Sequence, residues 1–118
     1  MAWELRQYRT VWTDFADSAP KALKGKCSAH LRRLQLAGNV NAGLRSEHLR
    51  DGVLELKVSW NKQEYRFLYS FGTGRRIYVL RIFKKKTRKT PDSEINIALD
   101  RKMEVDLDDA RTENVTIH

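Results

Sequence analysis

The stretch VLELKVSWNKQEYRFLYSFGTGRRIYVLRIF, residues 53–83, alternates apolar and polar side chains three times over. That period of two is the signature of strands. In 53–60, Leu54, Leu56, Val58 and Trp60 share one face, and Glu55, Lys57 and Ser59 the other. In 64–71, Tyr65, Phe67, Tyr69 and Phe71 oppose Arg66, Leu68 and Ser70; in 77–83, Tyr78, Leu80 and Ile82 oppose Val79, Arg81 and Phe83. Directly opposed residues of an antiparallel pair share a face, which constrains the register. A four-residue loop at 61–64 pairs Trp60 with Tyr65, Val58 with Phe67, Leu56 with Tyr69 and Leu54 with Phe71. A three-residue loop would set Val58 beside Arg66 and scramble the core. A four-residue loop at 72–75 then pairs Tyr69 with Tyr78, Phe67 with Leu80 and Tyr65 with Ile82, and brings Arg66 opposite Arg81. Facing cations cost up to about 1 kcal/mol. A sheet face carrying Lys57, Arg66 and Arg81 against Glu55 alone suits a bound anion.

The flanking segments fill in a small α+β domain. Residues 3–8, WELRQY, predict an opening strand, and 11–18, VWTDFADS, a two-turn helix. Ser18-Ala19-Pro20 reads as the start of a second helix, with a capping oxygen and a proline in the first turn. Its apolar stripe is Leu23, Cys27, Leu31 and Leu34, and Gly38-Asn39 ends it. Residues 39–51 read as a polar connection that contains His48. After the strands, TPDSEINIALDRKMEVDL predicts a closing helix, with Thr90 as cap and Pro91 at its first position. Asp92 and Glu94 suit the positive end of its dipole, and Ile95, Leu99 and Met103 its packing onto the sheet. The reading is one domain over residues 1–107 and a polar tail over 108–118.

Composition narrows the function. With 118 residues the chain holds one core. It has no apolar run of membrane-spanning length and no signal-like N-terminus, and its lone Cys27 fits a reducing cytoplasm. The net charge of +8 is unevenly placed: +4 over residues 1–51, +9 over 52–91 and −5 over 92–118. Five cations crowd into residues 84–89 (Lys84, Lys85, Lys86, Arg88 and Lys89), between a strand end and a helix start. A positive field centred on one segment is the footprint of a phosphate-binding face. Cys27 and His30 lie three apart, but two ligands make no zinc site, and no other residues suggest a metal or cofactor. A GXXG clamp and an aromatic RNP-like string are both absent, so familiar RNA modules find no support.

Leu49-Arg50-Asp51-Gly52, followed by LELKVSW, EYRFLYSF, GRRIYVLRIF and KKTRKTP, together resemble phage-derived HigB-type toxins of the RelE/ParE superfamily. The likeness runs from about Trp3 to Asp106 and is densest from Leu49 to Ala98. It implies a small antiparallel sheet with N-terminal helices packed on one face and a C-terminal helix. It further implies a type II toxin: a ribosome-dependent endoribonuclease that cuts mRNA in the cytoplasm and inhibits translation, silenced by a helix-turn-helix antitoxin of HigA type. Lys57 matches a frequent basic position on the first hairpin strand, and Arg66 the "YR" arginine. Lys85 and Lys86 match the Lys-Lys pair after the last strand, and Lys89-Thr90-Pro91 the closing motif. Arg81 stands where many relatives carry histidine.

RNA cleavage by its own 2′-hydroxyl needs a proton removed, a crowded phosphorane stabilised and a proton delivered to the leaving 5′-oxygen. Lys57, Arg66, Arg81 and Lys85 are the candidates to stabilise charge. Either Lys57 or Glu55 could move protons, a lysine among cations having a lowered pKa. Lys84, Lys86, Arg88 and Lys89 are candidates to steer phosphate, and Phe83 to stack on a base. Two rival functions stay open: a ParE-type inhibitor of DNA gyrase, and a plain RNA-binding module.

Overall fold

The computed structural model describes residues 3–38, 46–85 and 88–117. Strand β1 (Glu4–Tyr8) leads into helices α1 (Val11–Ser18) and α2 (Lys21–Ala37), and strands β2 (Ser46–Arg50), β3 (Val53–Trp60), β4 (Gln63–Gly72) and β5 (Arg76–Lys85) follow. Helix α3 (Asp92–Leu107), a 3-10 turn (Asp109–Arg111) and strand β6 (Thr112–Asn114) close the described chain. The sheet runs β2-β3-β4-β5-β1-β6, antiparallel except for β1 beside β5. None of the described helices is long and apolar enough to cross a membrane.

Two cores lie on opposite faces of the sheet. On one, Trp12 and Ala16 of α1 and Leu23, Cys27, Leu31 and Leu34 of α2 bury Leu56, Val58, Phe67, Tyr69, Ile77 and Val79. On the other, Ala98 and Val105 of α3 pack on Tyr8, Val53, Leu68, Tyr78 and Leu80. Consequently β4 is buried without interruption from Arg66 to Ser70. The face that alternation marks as wet is therefore roofed by α3, and Arg66 retains only 3% of its exposure.

The hairpins differ from the expected register. Trp60 pairs with Gln63, Val58 with Tyr65, Leu56 with Phe67 and Leu54 with Tyr69. The connection is a two-residue turn, Asn61-Lys62, with φ of 53° and 63°. Such turns twist as the strands do and so outcompete longer loops. The slip is two residues, which leaves each side chain on its predicted face while changing its partner. In the next hairpin a bulge at Leu80 pairs Leu68 with Arg81 but Tyr69 with Val79. Arg66 accordingly faces Phe83, and the anticipated Arg66–Arg81 clash does not arise. The same bulge puts Ile77 and Val79 on the α1/α2 face and Tyr78 and Leu80 on the α3 face.

The ends of the helices differ too. Ser18 does not cap α2; its hydroxyl turns back to the Asp14 and Phe15 carbonyls and finishes α1. Gly38, at φ 61°, closes α2 with its N–H on the Leu34 carbonyl, while Asn39 lies outside the described residues. The cap position of α3 is Pro91, one residue later than expected, because the Thr90 hydroxyl is engaged elsewhere. Met103 is 66% exposed, since the buried stripe of α3 runs instead through Ile95, Ala98 and Val105. Residues 108–118 are no tail in the described part. Thr112–Asn114 adds an edge strand to β1, fastened by Arg6, which donates to the Thr112 hydroxyl at 2.6 Å and carbonyl at 2.7 Å.

Candidate nucleic-acid cleft

Beyond the N-terminus of α3, the α3 face of the sheet opens into a cleft of about 410 Å³. Strand β2 forms one wall through Glu47, His48, Leu49 and Arg50. Glu55, Lys57, Arg66 and Lys85 come from the three central strands. Arg88, Lys89, Thr90, Asp92 and Ile95 complete it from the connection into α3. Six Lys and Arg side chains meet three carboxylates there, which leaves the lining positive.

At its base is a buried ion pair. Arg66 donates through Nη1 to Glu55 at 2.6 Å and through Nη2 to Glu64. The second oxygen of Glu55 accepts from the Thr90 hydroxyl, so the closing motif is tied to β3 beneath the cleft. Glu55 is 1% exposed with both oxygens engaged. Its carboxylate thus ties β3 to β4 and to the connection into α3. Arg66 is likewise committed, although its Nε–H is buried without a hydrogen-bond partner among the described residues. Removing one member of such a pair is costly, because the other charge stays buried and uncompensated.

The pairs higher in the cleft are of a different kind. Lys57 contacts Glu47 at 3.1 Å, but the Glu47 side chain is 61% exposed. Exposed pairs contribute roughly 0–1 kcal/mol, so a phosphate can take the place of Glu47 on Lys57. The Lys57 hydrogen bond and charge hold Glu47 below the usual carboxylate range. Lys85 donates to the Arg88 carbonyl, which folds the basic run back over the cleft. Burial, then the charge of Arg66, pushes its ammonium pKa down. Arg50 reaches across to Asn96 of α3 at 2.6 Å, fixing the β2 wall.

Other predicted site residues fall elsewhere. Arg81 grips Glu94 through two bonds, at 2.6 and 3.2 Å, and borders a separate hollow with Arg101, Phe15 and Ser18. The Leu80 bulge and the Glu94 carboxylate together take it out of the cleft. Phe83 packs at the margin of the α3-side core and does not line the cleft, so it offers no stacking platform there. Lys84 faces Tyr65 in the register and thus projects to the α1/α2 side. Lys86 lies outside the described residues. What sequence reasoning missed is the β2 wall with His48 and Arg50. The Asp51-Gly52 pair was its signal: both residues have positive φ, 51° and 85°, as a two-residue hairpin turn requires. Among the described residues no cluster of His, Cys, Asp or Glu is arranged to hold a metal ion.

A model of the family described as phage-derived protein Gp49-like (DUF891) matches residues 14–103. The chain belongs to that family. The Gp49-like family is a family of RelE/HigB-like toxins. Every residue that lines the cleft of this Gp49-like protein falls inside the matched segment, whereas β1 and β6 lie outside it. No curated protein matches the chain.

Proposed function

We propose that this Gp49-like protein is a HigB-type toxin of a type II toxin–antitoxin pair, an endoribonuclease that cuts mRNA on the translating ribosome in the cytoplasm. Its inhibitor would be a helix-turn-helix antitoxin of HigA type. The reading rests on one observation: Lys57, Lys85, Arg88 and Lys89 are gathered on one cleft above the buried Glu55–Arg66 ion pair. The buried Glu55–Arg66 pair acts as scaffold, and the phosphate is left to the groups above it.

In the proposed reaction Lys57 leaves Glu47 for a non-bridging oxygen of the scissile phosphate, and Arg88 holds its neighbour. The neutral amine of Lys85 takes the 2′-hydroxyl proton, since its depressed pKa makes that form accessible. The 2′-oxygen attacks phosphorus, the P–O5′ bond breaks, and a 2′,3′-cyclic phosphate forms. The leaving 5′-oxygen takes its proton from solvent, which reaches the cleft, because His48 pairs with Leu54 and so projects to the α1/α2 side. This route calls for no cofactor. Modest proton-transfer groups suit an enzyme whose substrate is oriented by the ribosome.

The test adds the protein to a cell-free translation reaction and maps new mRNA 5′ ends. Cuts confined to ribosome-occupied message, lost in Lys85→Ala and Arg88→Ala, are the expected result. Intact message together with arrested DNA supercoiling would replace this reading with gyrase inhibition.

A further inference from the structure

We infer that the outward face of α2 is a second nucleic-acid contact, docking on the sugar–phosphate backbone of duplex RNA. It lies across the sheet from the cleft, since α2 buries Leu23, Cys27, Leu31 and Leu34 against the opposite core. From Ser18 to Ser46 the chain has no Asp or Glu. Within α2, Lys21, Lys26, Arg32 and Arg33 are all exposed. At 100° per residue they form two rows, Lys21 with Arg32 and Lys26 with Arg33, on either side of a ridge holding Gly25, Ala29 and, at its C-terminal end, the exposed Leu36. Lys21 and Arg32 have no carboxylate within ion-pair distance among the described residues, and Lys26 donates to the Ser59 carbonyl.

Gly25 is a second observation. It stands in the middle of a 17-residue helix, where glycine is weaker than alanine. A Cβ added there would meet nothing within 4 Å. No internal contact calls for glycine there, and its bare backbone leaves the middle of the helix open to close approach from outside.

The chemistry favours a polyanion of a given shape. A membrane would require the apolar face of α2, which is already spent on the sheet. Reading DNA bases in the major groove needs polar side chains on the ridge, and Gly25, Ala29 and Leu36 provide none. The wide, shallow minor groove of A-form RNA takes a flat ridge with cations to either side, recognised by shape and phosphate.

The experiment measures binding of the full chain to an RNA duplex of about 20 base pairs, by fluorescence anisotropy across a salt series. The variant Lys21→Gln/Lys26→Gln/Arg32→Gln should bind roughly tenfold or more weakly, with the slope of log K against log salt reduced by about 2–3. Gly25→Gln should raise Tm by a few degrees and still weaken binding, a combination that a purely structural role cannot produce. Arg111→Gln, an exposed cation outside both the cleft and α2, should bind the duplex like the wild type. Unchanged affinity in the triple variant, or equally tight binding of duplex DNA of the same length, overturns the inference. Duplex binding is read without any cleavage, so loss of binding in the triple variant stands even if the wild type leaves message intact.

Discussion

The Arg66 guanidinium meets the Glu55 carboxylate at 2.6 Å between β4 and β3, both side chains almost wholly buried beneath α3. Arg66→Ala leaves Glu55 charged and unpaired in the interior, and Glu55→Ala does the reverse to Arg66. Each should destabilise the fold by roughly 3–5 kcal/mol, read from urea midpoints at unchanged m-value. The apolar double replacement Glu55→Leu/Arg66→Met should cost far less than the two single changes added together. Additive losses would show that the two charges do not act as a pair.

Glu47 pairs with Lys57 at 3.1 Å, and in the proposed reaction it would give way to the phosphate. Glu47→Gln should leave stability within about 0.5 kcal/mol of wild type, because the pair is exposed. The same change should tighten binding of a single-stranded RNA oligonucleotide several-fold at low salt, the gain fading as salt rises. Weaker binding would mean that Glu47 holds Lys57 in place for the phosphate.

Lys85 should set the rising, acid-side limb of cleavage. As a base it works when neutral, so activity should rise with pH and level off below the ordinary lysine pKa, because burial and Arg66 disfavour the ammonium. Lys85→Ala should lower the cleavage rate by about 10²–10⁴-fold, and Lys85→Arg should abolish the rising limb. A wild-type rate that falls as pH rises would reassign Lys85 as the proton donor.

Cys27 should be silent in the native state. Burial raises its thiol pKa to about 12, so almost no thiolate exists near pH 8. A disulfide reagent should label it only at the rate of unfolding and stoichiometrically in denaturant. Fast labelling of native protein would mean that α2 opens locally.

The Asn61-Lys62 turn carries avoidable strain. Lys62 holds φ at 63°, where a β-carbon is disfavoured and glycine is not. Lys62→Gly should therefore stabilise the fold by about 1 kcal/mol, raising Tm by about 4 °C, with no effect on RNA cleavage. A drop in Tm would indicate that the lysine side chain contributes more than the turn costs.

The period-two pattern of residues 53–83 was sufficient for three strands, and the Leu23-Cys27-Leu31-Leu34 stripe for α2, because alternation and helical spacing are local properties. Five of the six cations lining the cleft fall in the forty residues where the positive charge is concentrated, and Arg50 is the sixth. Tertiary structure alone decided which of those cations could meet a phosphate. α3 covers the sheet face that alternation marks as wet, so Arg66 is buried with Glu55. The Leu80 bulge and Glu94 carry Arg81 off to another hollow, and β2 supplies His48 and Arg50 from what reads as loop. A carboxylate's partner is set by where helices and bulges bring distant segments together, and no local pattern of residues encodes that distance.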